Sequence, residues 1–531
     1  MIWFLRDIDL LSTLLRAANL SFEALLLGGI VYLSAVARPA RASAQVEFFC
    51  LGGIRWAALA LALAELVTVI LSSASLLGDS DQNFRDLITT NFFVAGLSAA
   101  LLAALVWICT QVKSRKGVAA MIPLSLLLVA ARVSTSHALA RMDHRWLLAL
   151  ATAAHHLGTA AWIGAMPFLL VSLGQAERVE EARAMARRYS SMALLSVATL
   201  VLAGVYLAWF YIGTWNGLYG TSYGILLLAK IYLLLIMILM GAGNWWVVRR
   251  LNTNPQPLLT RLRRFAEAEI GLGFTAILAA AAMSSQTPAV DIPDHVSLQV
   301  IAARMHPEVP RMKSPAASQL TPATSIETAV REAEFKATGA SDATDKQWSE
   351  YNHHWAGLIV LLAGLLALLS RLPGMRWARF WPLSFAGLSI FILLRADPEC
   401  WPLGPRPFWA SFSAPDVLQH RAAALLILCF AAFECAVQAG KLRARWAAMI
   451  FPAMCALGAA VLLTHTHGPD MTEDLLASLS HTPIALLGAT AGWARWLELR
   501  LPPSRASRIA GYVWPLFLSA AGLVLLNYRE T

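Results

Sequence analysis

The residues best equipped for chemistry in this sequence are its 12 histidines, and their neighbours narrow what that chemistry is. A neutral imidazole offers a lone pair to copper, zinc or haem iron and titrates near physiological pH, while a methionine thioether beside it shifts preference toward Cu(I). Such pairs recur: Met142 with His144, Met305 and Met312 around His306, and His465 and His467 ahead of Met471. His155 and His156 are adjacent, and consecutive side chains on a helix point about 100° apart. One ring can therefore face a ligand while the other hydrogen-bonds elsewhere, and a ligand or proton-relay role is expected for at least one of them. For His144, His295 and His306 the ordinary reading is a solvated loop imidazole, with Met142, His144 and Met471 at most accessory ligands. Met166 and Met283 read as packing residues.

The elements that must position these side chains are membrane helices. Over 531 residues the chain is 58% hydrophobic and 14% charged, with a mean hydropathy of +0.59, whereas soluble proteins carry about a quarter charged residues. That composition makes the lipid bilayer the surrounding medium and excludes a nucleic-acid reading of the net charge of +10. The six cysteines are scattered without CxxC spacing, so no thiolate metal site or disulfide framework is encoded. Fourteen apolar runs of spanning length lie near 12–36, 54–76, 89–110, 118–138, 146–173, 190–212, 223–247, 266–285, 354–371, 381–395, 418–439, 447–464, 482–498 and 509–527. The fold class expected is an all-α polytopic bundle of about 14 transmembrane helices. Alternate loops are rich in Lys and Arg, as at Lys113-Ser-Arg115-Lys116, Arg249-Arg250 and Lys441-Leu-Arg443-Ala-Arg445. The positive-inside asymmetry makes those loops cytoplasmic and places both termini outside.

In that topology the histidines cluster at the outer side. His137 and His144 flank one outer loop, His353 and His354 open the ninth helix, and His420 the eleventh. His465 and His467 close the twelfth, and His481 opens the thirteenth. His155 and His156 alone go deep, roughly 15 Å past Arg145 at about 1.5 Å per residue. Charged side chains share that cost. Glu23, Glu65, Lys230, Glu267, Glu269 and Glu434 lie within apolar runs, each worth about 2.5–3.5 kcal/mol of unfavourable insertion unless paired or hydrated. Glu23 or Glu65 is the expected partner of Lys230, and these three serve either as structural pairs or as a pathway. Glu267 and Glu269, beside Arg263 and Arg264, read as cytoplasmic anchors.

Residues 286–352 are rich in Ala, Ser, Thr and Pro and separate eight helices from six. The division expected is 1–290, an outer low-complexity linker 291–352, and 353–531. A short helix capped at Thr324-Ser-Ile-Glu327 and an extended or disordered stretch from Pro307 to Pro322 are expected in the linker. In the last part His353, His354, His420, His465, His467 and His481 reach one membrane depth on different helices, an arrangement able to hold a metal ion or to clamp haem b between two axial histidines.

Several motifs run in order through the first eight helices: Ser136-His137-Ala138; His155-His156-Leu-Gly-Thr-Ala-Ala-Trp162-Ile-Gly164; Lys230 with Asn244; and Arg264, Glu267, Glu269 and Gly271, closing at Pro288. In them the chain resembles the CopD/PcoD family of inner-membrane copper-resistance proteins across about 1–290, with Ala165 where the family pattern has a second glycine. The resemblance implies copper movement between a CopC-like periplasmic carrier and the membrane or cytoplasm of a bacterium, with His137 and His155 or His156 as ligands. A haem b electron-transfer protein and a factor delivering copper to an oxidase stay open beside it. No CxxCH, Walker motif, Asp-Lys-Thr-Gly or Cys-Pro-Cys is present, which excludes c-type haem and ATP-driven pumping by this chain.

Overall fold

The structure, a computed structural model, describes residues 8–79, 83–112, 115–251, 255–315, 343–398, 400–411, 415–444, 446–464 and 471–529. Among them the chain is an all-α membrane protein with thirteen helices long and apolar enough to span a bilayer. The twelfth apolar run, near 447–464, forms a helix of only 15 residues, Ile450–Thr464. Every backbone group in hydrocarbon must find its partner within its own segment, and helices alone satisfy that here.

Two compact units emerge, one comprising 8–215 with 230–292 and the other 293–529 with 216–229. In the first, α1 (Ile8–Tyr32), α2 (Ala44–Asp79), α3 (Asn91–Gln111) and α4 (Arg115–Ser134) are followed by α5 (Arg145–Thr159). A π-helical turn, Ala160–Gly164, joins α5 to α6 (Met166–Gln175), and α7 (Val179–Ile212), α8 (Ser222–Arg249) and α9 (Pro255–Met283) follow. In the second unit α10 (Ala343–Leu369), α11 (Leu383–Arg395), α12 (Pro415–Gln438), α13 (Ile450–Thr464), α14 (Met471–Arg500) and α15 (Arg505–Leu526) pack around Trp381, Phe430, Phe451 and Trp514. Opposite the histidine-bearing end, Glu498 joins Arg371 and Arg495 and accepts from the Trp514 indole at 2.8 Å.

The expected linker divides differently in the structure. Residues 306–312 form no regular secondary structure and lie against α10, where Trp355 donates to the Met312 carbonyl at 3.1 Å. The helix expected after Thr324 lies outside the described residues.

Two glycines in the α5 motif have steric causes. A Cβ on Gly164 would stand 1.8 Å from the Ala24 carbonyl oxygen of α1, and one on Gly28 would stand 2.3 Å from the Gly164 carbonyl carbon. Two backbones thus touch directly, one turn beyond Glu23, and the π turn sits at that crossing. Such turns displace one carbonyl from the helical ladder; Tyr189 of α7 donates to the Trp162 carbonyl at 2.7 Å. Small residues permit this approach in membranes, where apolar side chains gain little by leaving lipid. Gly164→Ala is expected to destabilise the chain by about 1–3 kcal/mol through overpacking. Gly52→Ala, with nothing within 4 Å of the added carbon, should leave thermal unfolding in detergent unchanged or slightly raised.

Candidate functional site

A polar stripe runs down α1 at Thr13, Arg16, Asn19 and Glu23, a spacing of three or four residues that keeps one helical face. At its start Thr13 and Ser285 hydroxyls lie 3.4 Å apart and Arg16 donates to the Ser284 carbonyl at 2.6 Å. One step deeper, Asn19 donates to Thr68 of α2 at 2.9 Å. Glu23 then ends the stripe, and the same face continues with buried Leu27 and Ile30.

At Glu23 four helices meet. Arg132, from the last turn of α4, donates through Nε to Glu23 Oε2 at 3.2 Å and through Nη1 to Glu65 Oε1 at 2.7 Å. His156 of α5 places Nδ1 2.9 Å from Glu23 Oε1. Both glutamates are 2% exposed. A guanidinium ordinarily grips one carboxylate with both arms; here it is shared between carboxylates of two helices, so it ties α1, α2 and α4 together as a bridging cation. His156 pins α5 to the same carboxylate.

These contacts correct the expected pairing. Glu23 and Glu65 are held by Arg132 and His156 rather than by Lys230, whose electrostatic neighbour is His155. His155 turns the other way from His156: its ring packs on Gly204 of α7, where an added carbon would stand 3.5 Å from Cε1, and its buried Nδ1 has no hydrogen-bond partner. Glu269 is also not an anchor. It is 3% exposed and accepts from Asn244, whereas Glu267 does pair with Arg264.

The loop residues expected on the outer side stay apart from this cluster. His137 and Met142 are exposed, and His144, in the left-handed conformation that starts α5, meets only the edge of Phe210 among the rings at 6.1 Å. Among the described residues no group of three or more His, Cys, Asp and Glu converges as a metal site.

In the second unit His353 stacks on Tyr528, with centroids 3.9 Å apart, and His481 meets that ring edge-on at 5.8 Å. The two imidazoles are 6.2 Å apart. His353 Nδ1 faces the Ser349 carbonyl at 2.8 Å and His481 Nδ1 the Ala477 carbonyl at 2.9 Å. A carbonyl accepts only from N–H, so Nε2 carries the lone pair in each. That is the orientation given to metal-bound histidines. Tyr528 lies against both rings.

His354 is corrected outright as a ligand. Its Nδ1 accepts the Arg311 backbone N–H at 2.7 Å and its Nε2 donates to the Tyr528 carbonyl at 2.8 Å, so both nitrogens serve the fold. His420 pairs with buried Asp397 at 2.8 Å on a half-exposed site of its own. His465 and His467 lie outside the described residues, as does the side chain of Met471.

Residues 183–283, spanning most of α7 to α9, match the family described as Copper resistance protein D. This segment of the chain is similar to that family. The CopD segment includes Lys230, Asn244 and Glu269, whereas Glu23, Glu65, Arg132 and His156 precede it. The chain is also similar to the Copper transport protein CutJ of Bacillus subtilis (strain 168), at 26% identity over 189 residues, 33% of this chain and 34% of that protein. The chain thus matches about a third of that relative's length. No solved structure matches.

Arg132 is the residue that sequence reasoning missed. Its signal was a basic residue six positions from the end of the apolar run 118–138, with two glutamates left to be paired in other runs.

Two outcomes follow from the second unit. His354→Ala should cost about 2–4 kcal/mol of stability, from the lost buried ring and two stranded backbone groups; exposed His137→Ala should stay within about 0.5 kcal/mol, both read by thermal unfolding. The strap at 306–312 should also be pH-dependent. A hydrogen bond from Arg529, reinforced by the charges of Arg529 and His306, holds the exposed Glu308 carboxyl below its ordinary value of 4.5. A pKa lowered by folding contributes stability that is complete above the ordinary value and lost as pH falls through the lowered one. Hydrogen exchange of 306–312 should accelerate only on that acid side, and Glu308→Gln should flatten the response.

Proposed function

We propose that this chain moves copper through the membrane its helices span, by way of the cluster of Glu23, Glu65, Arg132 and His156. The observation that carries this reading is a charged, ligand-bearing cluster buried where four helices meet, at the foot of a polar stripe that begins at one end of α1. Buried charge of this kind is costly and marks ion pathways. The family segment and the relative named for copper transport favour copper as the cargo. Carboxylate and imidazole donors without thiolate suit Cu(II) better than Cu(I).

The Lys and Arg asymmetry orients this passage. Both termini and the segment 286–352 face the periplasm of a bacterial inner membrane, so the α1 stripe opens outward and a CopC-like carrier can load it.

Two measurements test this. Alkaline phosphatase fused at residue 320 should be active and at residue 255 inactive; the reverse pattern refutes the orientation. In cells given copper, Glu23→Gln and His156→Ala should lower copper movement at least about tenfold, equivalent to roughly 1.4 kcal/mol in the rate-limiting step, with the protein still present in the membrane. Unchanged movement in both variants would refute the passage.

A further inference from the structure

We propose that Arg132 is a tethered cation occupying an intramembrane metal site, and that the incoming ion enters by displacing its guanidinium. This rests on the copper-passage reading and says how that passage is kept closed.

The donors are already in place around the guanidinium. Glu23 and Glu65, on different helices, each give Arg132 one oxygen, and the guanidinium bridges them as a metal ion bridges two carboxylates. Among the described residues Glu23, Glu65 and His156 are not grouped as a metal site; the guanidinium is bonded to both carboxylates. His156 directs Nδ1 at Glu23. With Nδ1–H donated to that carboxylate, Nε2 is the lone-pair nitrogen, the carboxylate–histidine arrangement that supports metal ligation.

An independent observation points to a cation as the ligand. Asn19 is 2% exposed and lies one turn from Glu23. Its amide orientation is settled by chemistry: Thr68 Oγ1 donates to the Ala64 carbonyl at 2.8 Å, so it can only accept from Asn19, whose Nδ2 lies 2.9 Å away. The other end of the amide, Oδ1, is then a buried acceptor with no partner among the described residues. A buried carbonyl oxygen without a donor is unfavourable by about 1–3 kcal/mol, and a cation beside Glu23 and Glu65 satisfies it. Thr68 lies three residues from Glu65, as Asn19 lies four from Glu23, so the Asn19–Thr68 layer sits directly on the carboxylate layer.

Charge balance gives the exchange its logic. Two carboxylates face one guanidinium, and Arg16, the next cation along the stripe, is engaged with Ser284. Replacing one guanidinium by a divalent ion neutralises both carboxylates. The released Arg132 lies two residues from the end of α4, Arg115–Ser134, where water can satisfy its donors. Arg132 is thus a specificity-determining residue: a monovalent ion of weak affinity cannot compete with a guanidinium held for free by the chain, while a divalent ion with strong oxygen and nitrogen affinity can.

The test is copper binding to the whole purified chain in detergent, with Cu(II) as the probe, by competition against a chelator of known affinity. Arg132→Gln should bind one copper at least tenfold more tightly than the wild type, and Arg132→Gln with Glu65→Gln should lose that gain. In Arg132→Gly, millimolar guanidinium should weaken copper binding, while the wild type should not respond. Where Arg132→Gln fails to fold, Arg132→Lys, which cannot fork between two carboxylates, replaces it and should bind more tightly than the wild type by a smaller factor. Equal or weaker copper binding in a folded Arg132 variant, or indifference of Arg132→Gly to guanidinium, overturns the proposal. If the wild type still moves copper in cells under those outcomes, only the displacement fails; if it moves none, the passage fails with it.

Discussion

The N-terminal unit depends on one ionic junction. Arg132 joins carboxylates of α1 and α2, and His156 joins α5 to the same point. In hydrocarbon none of these groups can be left alone: removing one partner of a buried ion pair typically costs about 3–5 kcal/mol, whereas replacing the whole set by apolar residues is often neutral. A junction of this kind is poorly explained by stability alone. It makes sense where the charges are used, and it obliges four helices to keep their register around the place of use.

The register is reinforced immediately below. Gly28 and Gly164 let α1 and the π turn touch backbone to backbone, which sets the height of α5 against α1 and hence of His156 against Glu23. The same turn presents the Trp162 carbonyl to Tyr189, anchoring α7, on which His155 also packs. The adjacent histidines therefore divide their tasks by direction, one toward the ionic junction and one toward α7 and Lys230. The steric and electrostatic constraints coincide within one helical turn.

Much of this was legible in the sequence. Spanning helices follow from apolar length, and Glu23, Glu65 and the histidine pair stood out because polar groups in apolar runs are expensive. What could not be read was partnership. Lys230 looked like the natural partner of the glutamates because it is deeper in its run than Arg132, yet depth along one helix says nothing of which helices adjoin. Glu269 resembled an anchor from its neighbours Arg263 and Arg264, but helical periodicity turns it inward to Asn244 while Glu267 pairs outward with Arg264. In the second unit the shared depth of His353, His354 and His481 was readable. Which ring nitrogens the backbone consumes was not, and that is what separates His354 from the other two.

The most direct measurement is copper K-edge X-ray absorption on the whole chain loaded with copper, as wild type and as the Glu23→Gln, Glu65→Gln double variant. If copper lodges at the junction of α1, α2, α4 and α5, the wild type should show a first shell of oxygen and nitrogen with imidazole outer-shell scattering. The double variant should lose the oxygen-rich component and its equivalent of copper. A sulfur-dominated shell, or a spectrum and copper content unchanged by the two substitutions, would contradict it.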